Sequence, residues 1–385
     1  MQNFIYYNPV KIVFGKGTIP ELAKLIPADQ KVLLAYGGGS IKKNGVYEQC
    51  AAALEKHEVV EFSGIEPNPQ YTMCMDGVAL IKEQNIDFLL AVGGGSVLDT
   101  VKFMAAAALY DGAEPWEMMS DRGASIERVM PFGAVSTLPA TGSEMNMAAV
   151  ISRKETTEKC GMASPHLFPV FSILDPETTY SLPPRQTANG IVDAFVHVTE
   201  QYLTYPVHAP LQDRQAESIL LTLIEDGPKA LENPRDYEIR ASMMWAAANA
   251  LNALIGRGVP RDFATHMIGH ELTALYGMDH ARSLAVVLPG LLQHQRDRKR
   301  EKLLKYAARV WDICEGAEDA RVDQVIARTE EFFRSVGIPT RLSDYDIPAD
   351  AVQKVAENQK KRKMLLGEHG DLGSKEIEEI LRLRV

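Results

Sequence analysis

Between residues 31 and about 137, short apolar runs alternate with longer segments whose apolar residues recur at helical spacing. KVLLAY at 31–36, VVEF at 59–62 and FLLAVGGGS from Phe88 read as strands, while 46–56, 71–85 and the stretch from Val97 onward read as helices. Apolar strands bounded by glycine and separated by helices predict a parallel sheet covered on both faces. The opening MQNFIYYNPVKIVFGKG reads as a short strand and a turn. Beyond Pro184 strand-like runs nearly vanish, and long amphipathic stretches take over at 188–202, 213–231 and 240–255. The passage from Leu174-Asp175-Pro176 to Leu182-Pro183-Pro184 is rich in proline, which pushes the preceding residue away from helix and marks a boundary. The expected architecture is α/β plus all-α: a doubly wound parallel-sheet domain over residues 1–180 and an all-helical domain over 181–385.

Two domains also suit a chain of 385 residues, which exceeds the size at which one core keeps growing. Apolar residues at 46% and charged residues at 24% are ordinary for a globular protein. The net charge of −10 is a poor start for a phosphate-backbone binder, so nucleic acid is not an expected partner. No segment offers the ~18 uninterrupted apolar residues of a membrane helix, and the N-terminus lacks the basic start and apolar core of a signal peptide. The four cysteines are scattered without a CxxC pair, which fits a reducing cytoplasm.

Candidate chemistry enters at two glycine loops. Asp87 to Val92 is a buried-strand pattern that runs into Gly93-Gly94-Gly95-Ser96 and then a helix with Asp99 and Lys102. Glycines let a diphosphate approach the backbone, and the amides of a helix start supply unpaired donors at the positive end of the dipole. The spacing is not GxGxxG, so the ordinary dinucleotide fingerprint is absent. The earlier loop, Gly37-Gly38-Gly39-Ser40, follows KVLLAY where a dinucleotide fold often places an acidic residue for the ribose hydroxyls. None stands there. Small residues with Lys42 and Lys43 nearby favour a 2′-phosphate, hence NADP(H) over NAD(H).

The second cluster is a set of i, i+4 pairs. Asp193 and His197 project from one helix face, as do His266 and His270, and His280 follows ten residues on. Imidazoles with a carboxylate make an N/O donor set suited to Fe²⁺ or Zn²⁺. Five candidates stand for about four positions on one ion. Glu271 does not complete an HExxH motif, because Met267 follows the first histidine.

With FGKG near the start, GIEPNP at 64–69, GGGSVLDTVK from Gly93, TLPATGSEMN from Thr137, DAFVH, THMIGHELTA and the later His280, the chain resembles the iron-containing alcohol dehydrogenase family over nearly its whole length. The likeness is to the butanol-dehydrogenase-like branch of NADPH-dependent aldehyde reductases. The resemblance implies a dinucleotide-binding N-terminal domain, a metal-binding C-terminal domain and an active site in the cleft between them. It implies metal ligation by Asp193, His197, His266 and His280, with His270 outside that shell as a proton relay. It also implies that Gly94, Gly95 and Ser96 hold the pyrophosphate and that Gly37, Gly38 and Ser40 face the adenosine end. Asp99, Thr137, Thr141, Asn146, Lys159 and Leu182 would line the nicotinamide half, with Asn68 also at the cofactor. A small aldehyde or alcohol substrate and a homodimer are the expected partners. Two other readings stay open: a metal- and NAD-assisted lyase of the dehydroquinate synthase type, which needs basic contacts that neither DAFVH nor THMIGHE has nearby in sequence, and a metal-dependent hydrolase with Glu271 as base.

Overall fold

Strand residues that are apolar on both faces place their backbone in the middle of a layered domain, and the computed structural model, which covers residues 1–385, builds that layer. Its strands are β1 (Lys11–Phe14), β2 (Val32–Tyr36), β3 (Val59–Phe62), β4 (Phe88–Gly93), β5 (Phe132–Ser136), β6 (Ala148–Arg153), β7 (Glu158–Ala163) and β8 (Phe171–Leu174). Six of them form one parallel sheet in the order β1-β8-β5-β4-β2-β3, and β6 and β7 form a separate antiparallel pair. The period-2 alternation sorts side chains between two cores. Leu33, Ala35, Leu89, Ala91, Phe132 and Ala134 face helices α3 (Tyr71–Gln84) and α4 (Gly95–Ala107). Val32, Leu34, Leu90, Val92, Val135 and Ile173 face Leu22 of α1 (Leu22–Leu25) and Val46 and Cys50 of α2 (Val46–Ala53).

The order of strands decides where a ligand can sit. From β2 the chain crosses outward to β3 and then returns to the other side of β2 to lay down β4. In an open parallel sheet the crevice at such a reversal, outside the carboxyl ends of the strands, is the binding position. The loop Gly37 to Ser40 leaves β2 there, and Gly93 to Ser96 leaves β4 beside it. Helix α4 starts at Gly95, two residues before the sequence pattern places it.

The remaining helices are α5 (Glu117–Ser120), α6 (Pro184–Tyr202), α7 (Pro210–Glu232), α8 (Tyr237–Ala250), α9 (Ala264–Tyr276), α10 (His280–His294), α11 (Arg300–Val310), α12 (Glu318–Ser335), α13 (Ala351–Arg362) and α14 (Ser374–Arg382). The chain divides into a sheet unit, Tyr7–Pro183 with Pro234–Ala248, and a helical unit, Met1–Tyr6, Pro184–Asn233 and Asn249–Val385. The expected single cut at 180/181 is therefore corrected. The main boundary lies at Pro183/Pro184, and most of α8 belongs with the sheet. Its Met244 and Ala248 are buried with Leu174, and its Trp245 packs edge-on to Phe14, so the apolar face of α8 is spent on strands β8 and β1. The β6–β7 pair and β8 were not in the expected element order. All four cysteines are free, and burial pushes the Cys50 and Cys74 thiols up to about 12. No helix is long and apolar enough to cross a membrane.

Gly133 on β5 sits opposite Phe171 on β8, and a Cβ added there would lie 2.3 Å from the phenyl ring. That ring stacks on Phe88 at 5.9 Å, so it has little room to give. Gly133→Ala is expected to lower stability by about 1–3 kcal/mol, read as a lower urea midpoint at unchanged slope.

Candidate active site

Helix α6 is buried from Ile191 to Tyr202, so the polar side chains on it must find partners inside the protein. Asp193 and His197, one turn apart, are 3% and 4% exposed. Helix α9 brings His266 and His270, also one turn apart, and it crosses α10 closely. A Cβ at Gly269 would stand 2.8 Å from Ser283 Oγ and 3.0 Å from Leu284, so only glycine lets the two helices approach this far. The close crossing sets His280, the first residue of α10, against the α9 histidines. Asp279 just before it accepts hydrogen bonds from Arg185 Nε at 2.8 Å and Asn189 Nδ2 at 3.0 Å, which tie the start of α10 to α6.

The result is one carboxylate oxygen faced by three imidazoles. Asp193 Oδ1 lies 3.7 Å from His197 Nδ1, 3.8 Å from His266 Nε2 and 3.6 Å from His280 Nε2. These distances are too long for hydrogen bonds. They are near the spacing of about 3.4 Å that donors around a tetrahedral ion with ~2.1 Å bonds would keep. Ligand atoms of Asp193, His266 and His280 all lie within 4.8 Å of one another, and the His197 ring stacks on His266 at 4.5 Å. His266 Nε2 is buried with no hydrogen-bond partner, whereas its Nδ1 contacts the Glu200 carboxylate. Glu200 also accepts from the His266 backbone N–H at 3.2 Å. A histidine whose Nδ1–H is held by a carboxylate presents its Nε2 lone pair to an ion. Burial alone would depress the His266 pKa, but the Glu200 and Asp193 carboxylates carry it up to about 9. The same field favours a divalent cation in that place, so the donor set fits a metal. His270 stands beside the group, its ring 5.2 Å from His280 and perpendicular to His266 at 6.3 Å.

In the sheet unit, the expected cofactor residues lie in the loops that leave β2, β4 and β5 and on α4, with Lys159 on β7, Asn68 before α3 and Leu182 before α6. A Cβ at Gly95 would lie 2.6 Å from Thr141, while nothing stands within 4 Å of the same position at Gly38. Thr137 N–H donates to Gly93 O at 3.0 Å, and Asn146 Nδ2 to Thr141 O at 3.3 Å. Asp99 accepts from Ser143 Oγ at 2.8 Å and the Val150 N–H at 3.0 Å, so it holds the 141–150 segment against α4. Buried Lys102 reinforces this with bonds to Ser143, Asn146 and Ala148. Lys159 Nζ donates to Asn68 Oδ1 at 2.8 Å, which pairs two of the expected residues across 91 positions. Leu182 closes the turn after β8, its N–H on Thr179 O at 3.2 Å.

The charge expected at the Gly37 loop needs correcting. No acidic residue follows β2 in sequence, but Glu61 on the neighbouring β3 stands beside the loop. It accepts from Lys42 Nζ at 2.8 Å and from the Tyr36 and Tyr47 hydroxyls, which together hold its carboxyl down to about 2. Lys42 is committed to this group, and Lys43 remains for a phosphate. Glu271, the base of the hydrolase reading, is buried and salt-bridged to Arg362 at 2.9 Å, with Asn358 at 3.3 Å. Its carboxylate is occupied elsewhere.

Comparison with known proteins meets this geometry. The iron-containing alcohol dehydrogenase model matches residues 9–176, and the C-terminal model of the Fe-containing alcohol dehydrogenase family matches 187–385. The chain belongs to the iron-containing alcohol dehydrogenase family. It is 56% identical over 374 residues, 97% of each chain, to the NADPH-dependent aldehyde reductase YqhD of Escherichia coli K12. It is 42% identical over 391 residues, covering 100% of this chain and 99% of the other, to a probable NADH-dependent butanol dehydrogenase of Bacillus subtilis. The crystal structure of E. coli YqhD superposes with a TM-score of 0.98 at 53% identity, covering 100% and 99% of the two chains. NADH-dependent butanol dehydrogenase A of Thermotoga maritima gives 0.95 at 36%, with the same coverage. This family member is therefore a metal-dependent oxidoreductase of the alcohol–aldehyde class, and the lyase alternative is not favoured.

Sequence reading missed Glu200, although its position seven residues after Asp193 and three after His197 puts it on the same helix face. It missed Glu61 because cross-strand neighbours leave no local signal. Glu200→Ala is expected to weaken metal affinity about 10–100-fold in equilibrium dialysis. Glu200→Gln, which keeps an acceptor for Nδ1–H, should lie between the two. Equal affinity in all three proteins would remove Glu200 from the site.

Proposed function

We propose that this chain reduces small aldehydes to primary alcohols with NADPH, using one Fe²⁺ or Zn²⁺ held by Asp193, His197, His266 and His280, and that the reaction runs reversibly. The single observation that carries this reading is the Asp193 oxygen faced at 3.6–3.8 Å by three imidazoles, in a chain that also ends β4 in a glycine loop.

A divalent ion in that shell supplies Lewis-acid polarisation of a carbonyl oxygen, and a reduced nicotinamide supplies the hydride. The chain's own residues do the rest. The free amides at the start of α4, with Gly94, Gly95 and Ser96, receive a pyrophosphate, and open space at Gly38 with Gly37 and Ser40 admits the adenosine end. Thr137, Thr141, Asn146, Lys159, Asn68 and Leu182 shape the nicotinamide half, while Asp99 keeps the loop that bears Thr141 and Asn146 in place. His270 holds the proton that the product oxygen must gain, and an imidazole suits that task near neutral pH. Preference for NADPH is supported by the E. coli relative and by the loop of small residues with Lys43. The NADH-dependent B. subtilis relative makes it the point to test first. Free thiols throughout fit a reducing cytoplasm. Strand β1 lies at the sheet edge with Phe14 and Trp245 39% and 45% exposed, which supports a homodimer formed along that edge.

Metal-loaded protein is expected to oxidise NADPH faster than NADH in the presence of butyraldehyde, and a chelator should abolish both. Lys43→Ala should raise KM for NADPH and leave KM for NADH unchanged. His270→Ala should lower kcat about 10²–10⁴-fold while keeping its metal, whereas His266→Ala should lose metal. A metal content that falls equally in both variants would place His270 in the inner shell instead.

A further inference from the structure

Helix α6 ends at Tyr202 and α9 begins at Ala264, and a single buried ammonium ties these two ends together. Lys299 Nζ donates to Leu203 O at 2.7 Å, just past the end of α6, and to Asp262 Oδ2 at 2.7 Å, just before the start of α9. The Glu368 carboxylate contacts the same ammonium. The Lys299, Asp262 and Glu368 side chains are 3%, 4% and 5% exposed, so their charges must be met by one another and not by water. Burial alone would depress the Lys299 pKa, but the Asp262 and Glu368 carboxylates carry it above its ordinary value. Burial also works against both carboxylates. It raises the Glu368 carboxyl, whereas at Asp262 the Lys299 charge outweighs it and holds the pKa below the usual carboxylate range. The charged pair is therefore Lys299 with Asp262. A cation suits the carbonyl end of a helix dipole and a carboxylate its amide end, and this pair supplies both where α6 stops and α9 starts.

Asp262 does more than neutralise Lys299. Its Oδ1 accepts the Ala264 N–H at 3.0 Å, the first amide of α9, and its own N–H donates to Glu200 O at 3.0 Å. Between Asp262 and Ala264 stands Phe263 in left-handed backbone, φ 55°, a conformation that a phenylalanine adopts only where its surroundings impose it. The Phe263 carbonyl accepts the Met267 N–H at 3.1 Å, so α9 winds directly out of this turn with His266 as its third residue. The Phe263 ring stands 5.6 Å from the His266 ring. Glu200 closes the circuit, because its carboxylate meets both the backbone N–H and Nδ1 of His266. The strained turn is thus fixed on one side by Lys299 through Asp262 and on the other by Glu200. Lys302, three residues on, is as buried as Lys299 but pairs with Asp213 of α7. Nothing in the sequence links Asp262 to Lys299, since 37 positions separate them.

We infer that Lys299 is a positioning residue of the metal centre: through Asp262 it holds the left-handed turn at Phe263 and so fixes where His266 Nε2 stands relative to Asp193. This rests on the reading of Asp193, His197, His266 and His280 as metal ligands.

Co²⁺ serves as the probe, because its visible absorption reports the number and angles of its donors and its binding is followed by equilibrium dialysis without turnover. In metal-free full-length protein reloaded with Co²⁺, Lys299→Met and Asp262→Asn are each expected to raise the Kd about tenfold and to shift the visible bands. The double variant should lose no more than the weaker-binding single variant, because the two side chains act as one unit. Glu368→Gln, which alters the less charged partner, should change the Kd far less. Lys302→Met is the control: it should lower the urea midpoint of the metal-free protein and leave the Co²⁺ spectrum and Kd as they are. Should Lys299→Met fail to fold, Asp262→Asn, nearly equal in shape to the parent, carries the same expectation. Spectra and affinities unchanged in Lys299→Met and Asp262→Asn would overturn the positioning role and leave the metal centre in place. An equal loss of affinity in Lys302→Met would assign the effect to general instability and overturn it as well. A parent protein that binds no Co²⁺ would overturn the metal reading itself, and the positioning role with it.

Discussion

A carboxylate that is 3% exposed and faced by three imidazoles can keep its charge in a low-dielectric interior only if positive charge is brought to it. Asp193 is in that position, and much of the helical unit is arranged around it. Buried α6 supplies Asp193, His197 and Glu200 from one face. The glycine at the α9–α10 crossing lets His266 and His280 close on the same oxygen. Asp279, held by Arg185 and Asn189, fixes where α10 begins. Each device would be costly in isolation, and together they hold one carboxylate oxygen within 3.8 Å of three imidazole nitrogens, the arrangement on which the proposed cation site rests.

The sheet unit solves a different problem with backbone. Its two glycine loops leave adjacent strands at the point where strand order reverses, which brings both loops to one end of the sheet. The side chains nearby are mostly engaged in holding the loops. Asp99 and Lys102 bind the 141–150 segment to α4, and Glu61 gathers Lys42, Tyr36 and Tyr47 beside the first loop.

What could be read along the chain were the features with a period or a fixed local spacing. Apolar strands with intervening helical periodicity specified a parallel sheet, because side-chain direction alternates with period 2 in a strand and 3.6 in a helix. The i, i+4 pairs at Asp193/His197 and His266/His270 specified shared helix faces for the same reason, and the glycine loops announced close backbone approach. Tertiary structure alone decided that β1 joins β8 at the sheet edge, that α8 packs with the sheet, and that Glu200 holds His266. It also decided that Glu61 reaches Lys42 from another strand and that Glu271 turns to Arg362. These outcomes depend on which surfaces bury one another across long chain separations, and such contacts leave no periodic trace in the residues that make them.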